Sequence, residues 1–387
     1  MKIAWFCIPA HGHTNPTIAL VKEMVEAGHE IFYFSFKDFK EKIEKTGATY
    51  ISCDDCDFEM EDKDNGERVA KDIAFATELL VNSTLALDEM IAKKIKEIKP
   101  DLIVSDSVSY WGKLTAIKYN IPYVSSTTTF AFNKYSSSYM NNGLGQLIKM
   151  LFSMPKVNRQ LKRLRKKGYP INSILDIIQN DNETNTIVYT SKYYQPCSDT
   201  FSDKYRFIGP SIRPIETPFE KTSKVTIYIS MGTVLKNQKF YHYCIDAFSQ
   251  TDYQVIISSG VSDTEFKDLP NNIKIYKFVD QMAVLSITDV FITHCGMNSA
   301  SEGLYFEVPL VLCPQTNEQE AVAKRTEELG AGIWLKSINN SNILLDTVNK
   351  ILNDSNYKQA ASEISKSFKE CEGVKAARQF IEEIKIN

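Results

Sequence analysis

The stretch that decides the fold is Val290–Gln319, VFITHCGMNSASEGLYFEVPLVLCPQTNEQ. It opens with the apolar run Val290–Thr293, whose β-branched and aromatic residues indicate a buried strand too short to be a helix. His294-Cys295-Gly296 then ends the apolar run. Asn298 and the serines around it favour the start of a helix. The stretch therefore predicts a strand, a turn and a helix N-terminus in succession.

A strand followed by a helix N-terminus can form an anion site, because the first N–H groups and the positive end of the helix dipole point beyond the strand. Asn298 and Glu302 lie four residues apart, so one helix face can carry both side chains. A second strand within Val308–Cys313 leads to Glu318 and Gln319 at the same sheet edge. The set suits a phosphate near the turn and a hydroxylated sugar beyond it. Taken singly, the glycine could be a plain turn and Glu302 a solvated helix residue.

The string from His294 to Gln319 closely resembles the donor-binding signature of UDP-sugar-dependent inverting glycosyltransferases. That family includes bacterial macrolide glycosyltransferases and plant natural-product glucosyltransferases. The resemblance implies an α/β fold of the GT-B type, with two facing Rossmann-like domains and an inter-domain cleft. It spans nearly the whole chain and is weakest over residues 60–200.

The resemblance also implies a domain division. Residues 1–205 would form an acceptor-binding Rossmann-like domain, and a Pro-containing linker would cover 206–222. Residues 223–373 would form the UDP-sugar-binding domain. A last helix, about 374–387, would pack back on the N-terminal domain.

Composition narrows the function further. The chain has 387 residues, 43% hydrophobic residues and a formal net charge of −3, which argues against a general nucleic-acid binder. Of its eight cysteines, only Cys53 and Cys56 form a CxxC pair, and no second pair completes a zinc site. The apolar stretch at the N-terminus is too short for a signal peptide or a membrane span, so we expect a cytoplasmic protein.

The N-terminal segment predicts a β-α-β unit. Lys2–Ile8 and Glu30–Ser35 have the character of buried strands, and Thr17–Ala27 has the apolar spacing of a helix. The intervening loop, Pro9–Pro16, contains one glycine where a dinucleotide fingerprint needs three. The loop therefore argues against a nicotinamide or flavin dehydrogenase. It places His13 at a strand's carboxyl end, where ligands bind.

His13 is the candidate general base. A histidine with a pKa near about 6.5 can accept a proton from a hydroxyl at neutral pH. The segment resembles the family's GHxNP motif, in which the histidine nearest Asn-Pro acts, so His11 is less favoured. Asp106, at the end of the strand begun by Leu102–Val104, would orient His13 and stabilise its charged form. Either residue could instead simply cap a helix.

Two further segments match the family's donor site. Ser230-Met231-Gly232-Thr233 resembles its Ser-x-Gly-Ser/Thr turn, which faces the donor phosphates. Phe278-Val279-Asp280-Gln281 stands where relatives usually have Trp-x-Pro-Gln, the segment that holds uracil. Phe278 offers a smaller stacking face than tryptophan and Asp280 replaces proline, so the preference for uridine is weakened.

By resemblance, His294 and the turn N–H groups would hold the diphosphate, Glu302 the ribose hydroxyls, and Glu318 and Gln319 the sugar. The implied donor-binding residues are Ser230, Gly232, Thr233, Phe278, Val279, Gln281, His294, Gly296, Asn298, Ser299, Glu302, Glu318 and Gln319. No metal-ligand cluster is visible, so no metal or cofactor is expected. The UDP-sugar would be a co-substrate.

Two segments bear on the acceptor. Tyr123–Tyr139 is rich in aromatic and hydroxyl residues, which suits a pocket for a flat or apolar acceptor, although apolar residues at these spacings are more often plain core. Lys156–Lys167 is strongly basic. As a solvated helix face it needs no ligand, and an anionic membrane surface is the less favoured alternative.

The sequence thus predicts an inverting hexosyltransferase. It would move a hexose, most simply glucose, from a UDP-sugar to a hydroxyl of a small lipophilic acceptor of the flavonoid or macrolide type. The alternatives are a membrane-associated lipid glycosyltransferase, a UDP-sugar epimerase of related fold, and a non-catalytic sugar-nucleotide-binding protein. The last is disfavoured because both His13 and Asp106 are present.

Overall fold

The computed structural model describes residues 1–54, 72–139, 144–178, 180–232, 238–260, 266 and 269–385. The chain divides into two compact units. The first unit comprises Met1–Ser191, Cys197–Ser211 and Cys371–Asn387, and the second comprises Lys192–Pro196 and Ile212–Glu370. Both are α/β units built on a parallel sheet.

The sheet of the first unit has the strand order β3-β2-β1-β4-β5-β6-β7 within the described residues. Its strands are β1 (Lys2–Phe6), β2 (Glu30–Ser35), β3 (Thr49–Ser52), β4 (Leu102–Asp106), β5 (Tyr123–Thr127), β6 (Thr186–Val188) and β7 (Tyr205–Phe207). The helices between them are α1 (His11–Glu26), α2 (Lys40–Glu44), α3 (Ile73–Ile98), α4 (Tyr110–Tyr119), α5 (Leu144–Lys166) and α6 (Leu175–Ile178). From β1 the chain winds one way through β2 and β3, and from β4 it winds the other way. The crevice between the carboxyl ends of β1 and β4 is therefore a topological switch point.

The sheet of the second unit has the order β10-β9-β8-β11-β12-β13. Its strands are β8 (Thr226–Ser230), β9 (Gln254–Ser258), β10 (Ile273–Tyr276), β11 (Val290–Thr293), β12 (Leu310–Leu312) and β13 (Gly332–Trp334). Its helices are α7 (Gln238–Phe248), α8 (Gln281–Leu285), α9 (Met297–Tyr305), α10 (Asn317–Glu328), α11 (Asn342–Asn353) and α12 (Ser355–Lys369). Here the winding direction reverses between β8 and β11, which gives a second switch point.

Strand β1 shows why both sheet faces are buried. Ile3 and Trp5 belong to one apolar cluster, and Ala4 and Phe6 belong to another on the opposite face. All four are fully buried. A strand covered by helices on both faces must be apolar at every position, which is why its sequence is a continuous apolar run without alternation.

The last helix, α13 (Gly373–Glu382), packs in the first unit. Ala377, Phe380 and Ile381 lie in the same apolar cluster as residues of α1, and Arg378 pairs with Glu23 of α1 at 3.2 Å. None of the helices in the described part of the chain is long and apolar enough to cross a bilayer.

Two element predictions need correction. Helix α1 begins at His11 and not at Thr17, so Pro9–Pro16 is not a loop. Pro16 interrupts one intrahelical bond, but the helix tolerates it because Thr14, Pro16 and Thr17 are buried against the sheet. Arg206 and Phe207, predicted as the start of the linker, belong instead to the edge strand β7, Tyr205–Phe207.

Candidate active site

His13 and Asp106 meet at the switch point of the first unit. The Nδ1 atom of His13 lies 2.8 Å from Oδ2 of Asp106, and the other carboxylate oxygen accepts the Val108 N–H at 3.0 Å. The Asp106 side chain is fully buried, whereas 18% of the His13 side chain is exposed. An ionised carboxylate only accepts hydrogen bonds, so Nδ1 must carry the proton and Nε2 of the neutral ring is a proton acceptor. The pair therefore has the tautomer that a general base requires.

Thr128 is a third member of this group that the sequence analysis did not single out. Its hydroxyl oxygen lies 3.1 Å from the same Nδ1 atom of His13, and the residue is buried. Thr128 follows β5, which pairs with β4 so that Asp106 stands opposite Ser126. The signal in the sequence was the run of hydroxyl residues at the carboxyl end of β5, which was assigned to an acceptor pocket.

The start of α1 is anchored by buried polar contacts beneath His13. The Thr17 hydroxyl lies 2.9 Å from the Tyr33 hydroxyl, and the Cys7 sulfur lies 3.7 Å from the Thr14 hydroxyl. Burial and the nearby Asp106 charge raise the pKa of the Cys7 thiol, so it stays protonated. His11, by contrast, packs its ring on Phe39 at 5.1 Å. These contacts hold the first turns of α1 on the sheet, and His13 with them.

In the second unit, His294 sits between two glycines at the ends of β8 and β11. A Cβ atom on Gly232 would lie 2.8 Å from Nε2 of His294, and one on Gly296 would lie 2.6 Å from it. Gly232 also has a left-handed φ of 73°. Both positions therefore require glycine. Burial lowers the pKa of the His294 imidazole, while the backbone at Ser230 opposes the shift, so the ring is neutral at pH 7.

Helix α9 presents its N-terminus beside His294. Its N-cap is Gly296, which has no side chain to cap the helix. The first-turn N–H groups, including those of Asn298 and Ser299, therefore point toward the carboxyl edge of the sheet together with the positive end of the helix dipole. Ser230, the last residue of β8, pairs with Thr293 of β11 and so lies at the same edge. The neutral imidazole of His294, the first-turn N–H groups of α9 and the helix dipole together favour the binding of an anionic group at this edge.

A buried hydrogen-bond chain fixes the carboxylate of Glu302. The Tyr228 hydroxyl donates to the side-chain oxygen of Gln281 at 3.1 Å, and the Gln281 amide nitrogen donates to Glu302. Tyr228 is itself buried and stacked on Phe291, with ring centroids 4.8 Å apart. Gln281 and Glu302 are predicted from their motifs, whereas Tyr228, a position of β8, is not.

Glu302 has an unusual protonation equilibrium. Burial raises the pKa of its carboxyl to about 7, the Gln281 hydrogen bond and the Arg213 charge oppose the shift, and the Asp280 charge adds to it. The carboxyl therefore changes charge near neutral pH. A partner that donates hydrogen bonds to it, such as a pair of hydroxyls, would favour the ionised form.

The segment Phe278-Val279-Asp280-Gln281 leads into α8. The Phe278 ring is 65% exposed, and Val279 is half-buried beside it. Asp280 is the N-cap of α8, where its carboxylate accepts the Met282 N–H at 3.1 Å. The residue that replaces the usual proline thus has a structural role, and an exposed aromatic face remains for stacking.

Glu318 and Gln319 lie in the first turn of α10, which Thr316 caps. Glu318 is exposed. The Gln319 side-chain oxygen accepts the Gln315 N–H at 2.8 Å, so that side chain supports its own turn. Thr233, like Cys56, lies outside the described residues. Among the residues described, no group of three His, Cys, Asp or Glu side chains is placed to hold a metal ion.

Comparison with known proteins decides the family. The chain is 33% identical over 397 aligned residues to the uncharacterized UDP-glucosyltransferase YdhE of Bacillus subtilis, with 97% of this chain and 96% of that protein covered. The chain belongs to the UDP-glycosyltransferase family. The glycosyltransferase is also 31% identical to the NDP-glycosyltransferase YjiC of Bacillus licheniformis, over 98% of this chain and 96% of that protein.

A family model and a solved structure also match the glycosyltransferase. Residues 242–370 match the family "Erythromycin biosynthesis protein CIII-like, C-terminal domain". The crystal structure of the glycotransferase of kitacinnamycin superposes with a TM-score of 0.84 at 24% identity and covers 98% of both chains. At that identity the likeness shows the fold, and the predicted α/β fold of the GT-B type is confirmed.

Proposed function

We propose that this glycosyltransferase moves a hexose, most simply glucose, from a UDP-sugar to a hydroxyl of a small lipophilic acceptor, with inversion at the anomeric carbon. The observation that carries the proposal is the 2.8 Å contact between His13 and the buried Asp106. A histidine in the acceptor tautomer, backed by a carboxylate and partly exposed to solvent, is suited to remove a proton from an alcohol.

His13 acts as the general base in this proposal. Its Nε2 takes the proton of the acceptor hydroxyl as the oxygen forms a bond to the anomeric carbon. The bond from that carbon to the diphosphate oxygen breaks on the opposite face, and UDP leaves with the electron pair. The buried Asp106 charge stabilises the imidazolium that forms, and Thr128 helps to hold the ring in place.

The carboxyl edge of the second sheet holds the diphosphate. The charge that grows on the leaving group is stabilised by the first-turn N–H groups of α9 and by its dipole, with His294 as a neutral hydrogen-bond partner. Ser230 and Gly232 border the phosphates on the β8 side. The helix N-terminus takes the place that a metal would otherwise have, so we propose that transfer needs neither a metal nor a cofactor.

The remaining donor-site residues contact the nucleoside and the sugar. Phe278 stacks on the base, with Val279 beside it, and Gln281 positions Glu302 for the ribose hydroxyls. Glu318 and Gln319 contact the sugar. The exposed Phe278 ring is a stacking face for any base. The name of the related NDP-glycosyltransferase also supports a donor site that accepts nucleotides besides UDP.

The test is a panel of flavonoid and macrolide acceptors incubated with UDP-glucose and analysed by mass spectrometry. We expect a mass gain of one hexosyl unit per modified hydroxyl and an inverted anomeric configuration by NMR. An incubation with UDP-glucose alone serves as a control, because conversion to a second UDP-hexose would identify an epimerase. Tight UDP binding without any product across the panel would favour a non-catalytic binding protein.

A further inference from the structure

Helix α5 carries the strongest concentration of positive charge in the sequence. Its C-terminal part and the residue after it contain seven basic residues: Lys156, Arg159, Lys162, Arg163, Arg165, Lys166 and Lys167. Residues 144–175 contain no Asp or Glu, although the chain as a whole has a net charge of −3. The positive charge is therefore local to this helix.

The structure shows which side of α5 the charges occupy. Val157, Leu161 and Leu164 are fully buried in the apolar cluster that α5 forms with α3, α4 and α6. Phe152, Lys156, Arg159, Arg163 and Lys166 follow one another at intervals of four or three residues and so form one stripe. We call these five residues the cationic stripe. It lies away from the buried face, and its four basic residues are exposed.

Phe152 distinguishes the cationic stripe from an ordinary solvated helix face. Its side chain is 82% exposed, the largest exposure of any large hydrophobic side chain described. It stands one helical turn before Lys156, within the same stripe. While its ring is exposed to water, Phe152 lacks the stabilisation that burial of its apolar surface would give. The same ring in line with cations matches the pattern of helices that lie in a membrane interface.

Within the part of the chain that the structure describes, neighbouring carboxylates do not compensate the charges of the stripe. Among the described residues, no Asp or Glu oxygen lies within ion-pair distance of its basic residues. Arg163 donates to the neutral amide oxygens of Asn82 and Gln160, both at 2.7 Å. On the adjacent helix α3, by contrast, Lys94 pairs with Glu97 at 2.8 Å.

We propose that the cationic stripe binds the surface of an anionic phospholipid bilayer, with its cations at the lipid phosphates and Phe152 in the interface. The sequence alone made this the less favoured interpretation, because a few basic residues attract a membrane only modestly. The exposed Phe152, in line with the basic residues, adds an apolar contact with the membrane interface to this modest electrostatic attraction. A peripheral contact of this kind requires no membrane-spanning helix. The proposal does not depend on the donor or acceptor proposed above.

The test is cosedimentation of the full chain with vesicles of phosphatidylcholine, with and without phosphatidylglycerol. We expect binding only to vesicles that contain phosphatidylglycerol and its loss in roughly 1 M salt, where the Debye length falls to about 3 Å. The variant Lys156→Gln/Arg159→Gln/Lys166→Gln should reduce the partition coefficient by on the order of a hundredfold, since each cation near such a surface contributes roughly fivefold. Phe152→Ser should reduce it several-fold while leaving its salt dependence in place.

The matched control variant removes the same number of positive charges from another part of the chain. Lys350→Gln/Lys358→Gln/Lys366→Gln replaces three exposed lysines of α11 and α12 and should bind the vesicles like the wild type. Equal losses in both triple variants would overturn the proposal, because binding would then follow net charge alone. Equal binding to both vesicle types would also overturn it. So would tight binding of a labelled oligonucleotide that the stripe variant loses while vesicle binding is unchanged.

Discussion

The Nδ1 atom of His13 lies 2.8 Å from Oδ2 of Asp106, although 93 positions separate the two residues in the sequence. The contact follows from the sheet topology. His13 lies in the first turn of α1, just beyond β1, and Asp106 is the last residue of β4. These two strands are neighbours at the point where the winding direction reverses. The burial of the first turns of α1 against the sheet, over residues Gly12 to Thr17, is sufficient to place His13 beside Asp106.

Replacing Asp106 with asparagine should disable the base while preserving its shape. An asparagine amide can donate to Nδ1, which would move the imidazole proton to Nε2 and leave no acceptor for the substrate proton. We expect kcat to fall by on the order of a hundredfold or more with little change in the donor KM. The matched control is Asp101→Asn, which alters a carboxylate at the start of β4 that accepts the Lys2 N–H. Equal activity of both variants would argue against a role for Asp106 in proton transfer.

Gly232→Ala should impair donor binding through His294. The added methyl group would meet the imidazole at 2.8 Å, and the left-handed φ of 73° adds strain. Gly28→Ala is the control, because Gly28 has a φ of 89° with nothing within 4 Å of its added Cβ. We expect UDP affinity, measured by calorimetry, to drop at least about tenfold in Gly232→Ala and to remain unchanged in Gly28→Ala. Similar affinities in the two variants would show that the niche around His294 does not hold the nucleotide.

Glu302 should make stability depend on pH. Its pKa of about 7 in the folded protein exceeds the ordinary value of 4.5, so the protonated carboxyl favours the folded state. This contribution is complete below pH 4.5 and is lost as the pH rises through 7. Between pH 5 and pH 8 the free energy of unfolding should fall by about 2 to 3 kcal/mol from this group. In Glu302→Gln that part of the decline should be absent in urea unfolding curves, and an unaltered pH dependence would contradict the assignment.

Tyr228→Phe should loosen the donor site without touching the donor. The variant keeps the stacking on Phe291 but loses the hydroxyl that holds Gln281, and through it Glu302. One lost hydrogen bond of about 1 kcal/mol predicts roughly a fivefold rise in the donor KM, with kcat little changed. Tyr253→Phe is the control. Tyr253 lies just before β9, and its hydroxyl donates to the side-chain oxygen of Asn349 at 2.7 Å. A donor KM equal to that of the wild type would show that Glu302 does not need this support.

The sequence predicts the parallel strands of this fold well because their apolar runs are distinct. Glu30–Ser35 and Val290–Thr293 are predicted with the bounds that the structure has. The start of α1 was missed because Pro16, which usually marks a break, is accommodated inside the helix by burial. A local pattern cannot report such tertiary compensation.

The polar network of the site was only partly accessible from sequence. His13, Asp106, Gln281 and Glu302 could be found because they stand in recognisable motifs. Thr128 could not be distinguished from its neighbours Thr127 and Thr129, because only the pairing of β5 with β4 brings one of the three to the imidazole. Tyr228 was hidden in an apolar strand for the same reason.

The most direct test of the central claim compares His13→Ala with His11→Ala in sugar transfer from UDP-glucose. The two histidines are neighbours on α1, but only His13 contacts Asp106, while His11 packs on Phe39. If His13 is the general base, His13→Ala should lower kcat by about two orders of magnitude or more, keep its UDP affinity, and differ sharply from His11→Ala, which should retain near-wild-type turnover. Undiminished turnover in His13→Ala would contradict the mechanism.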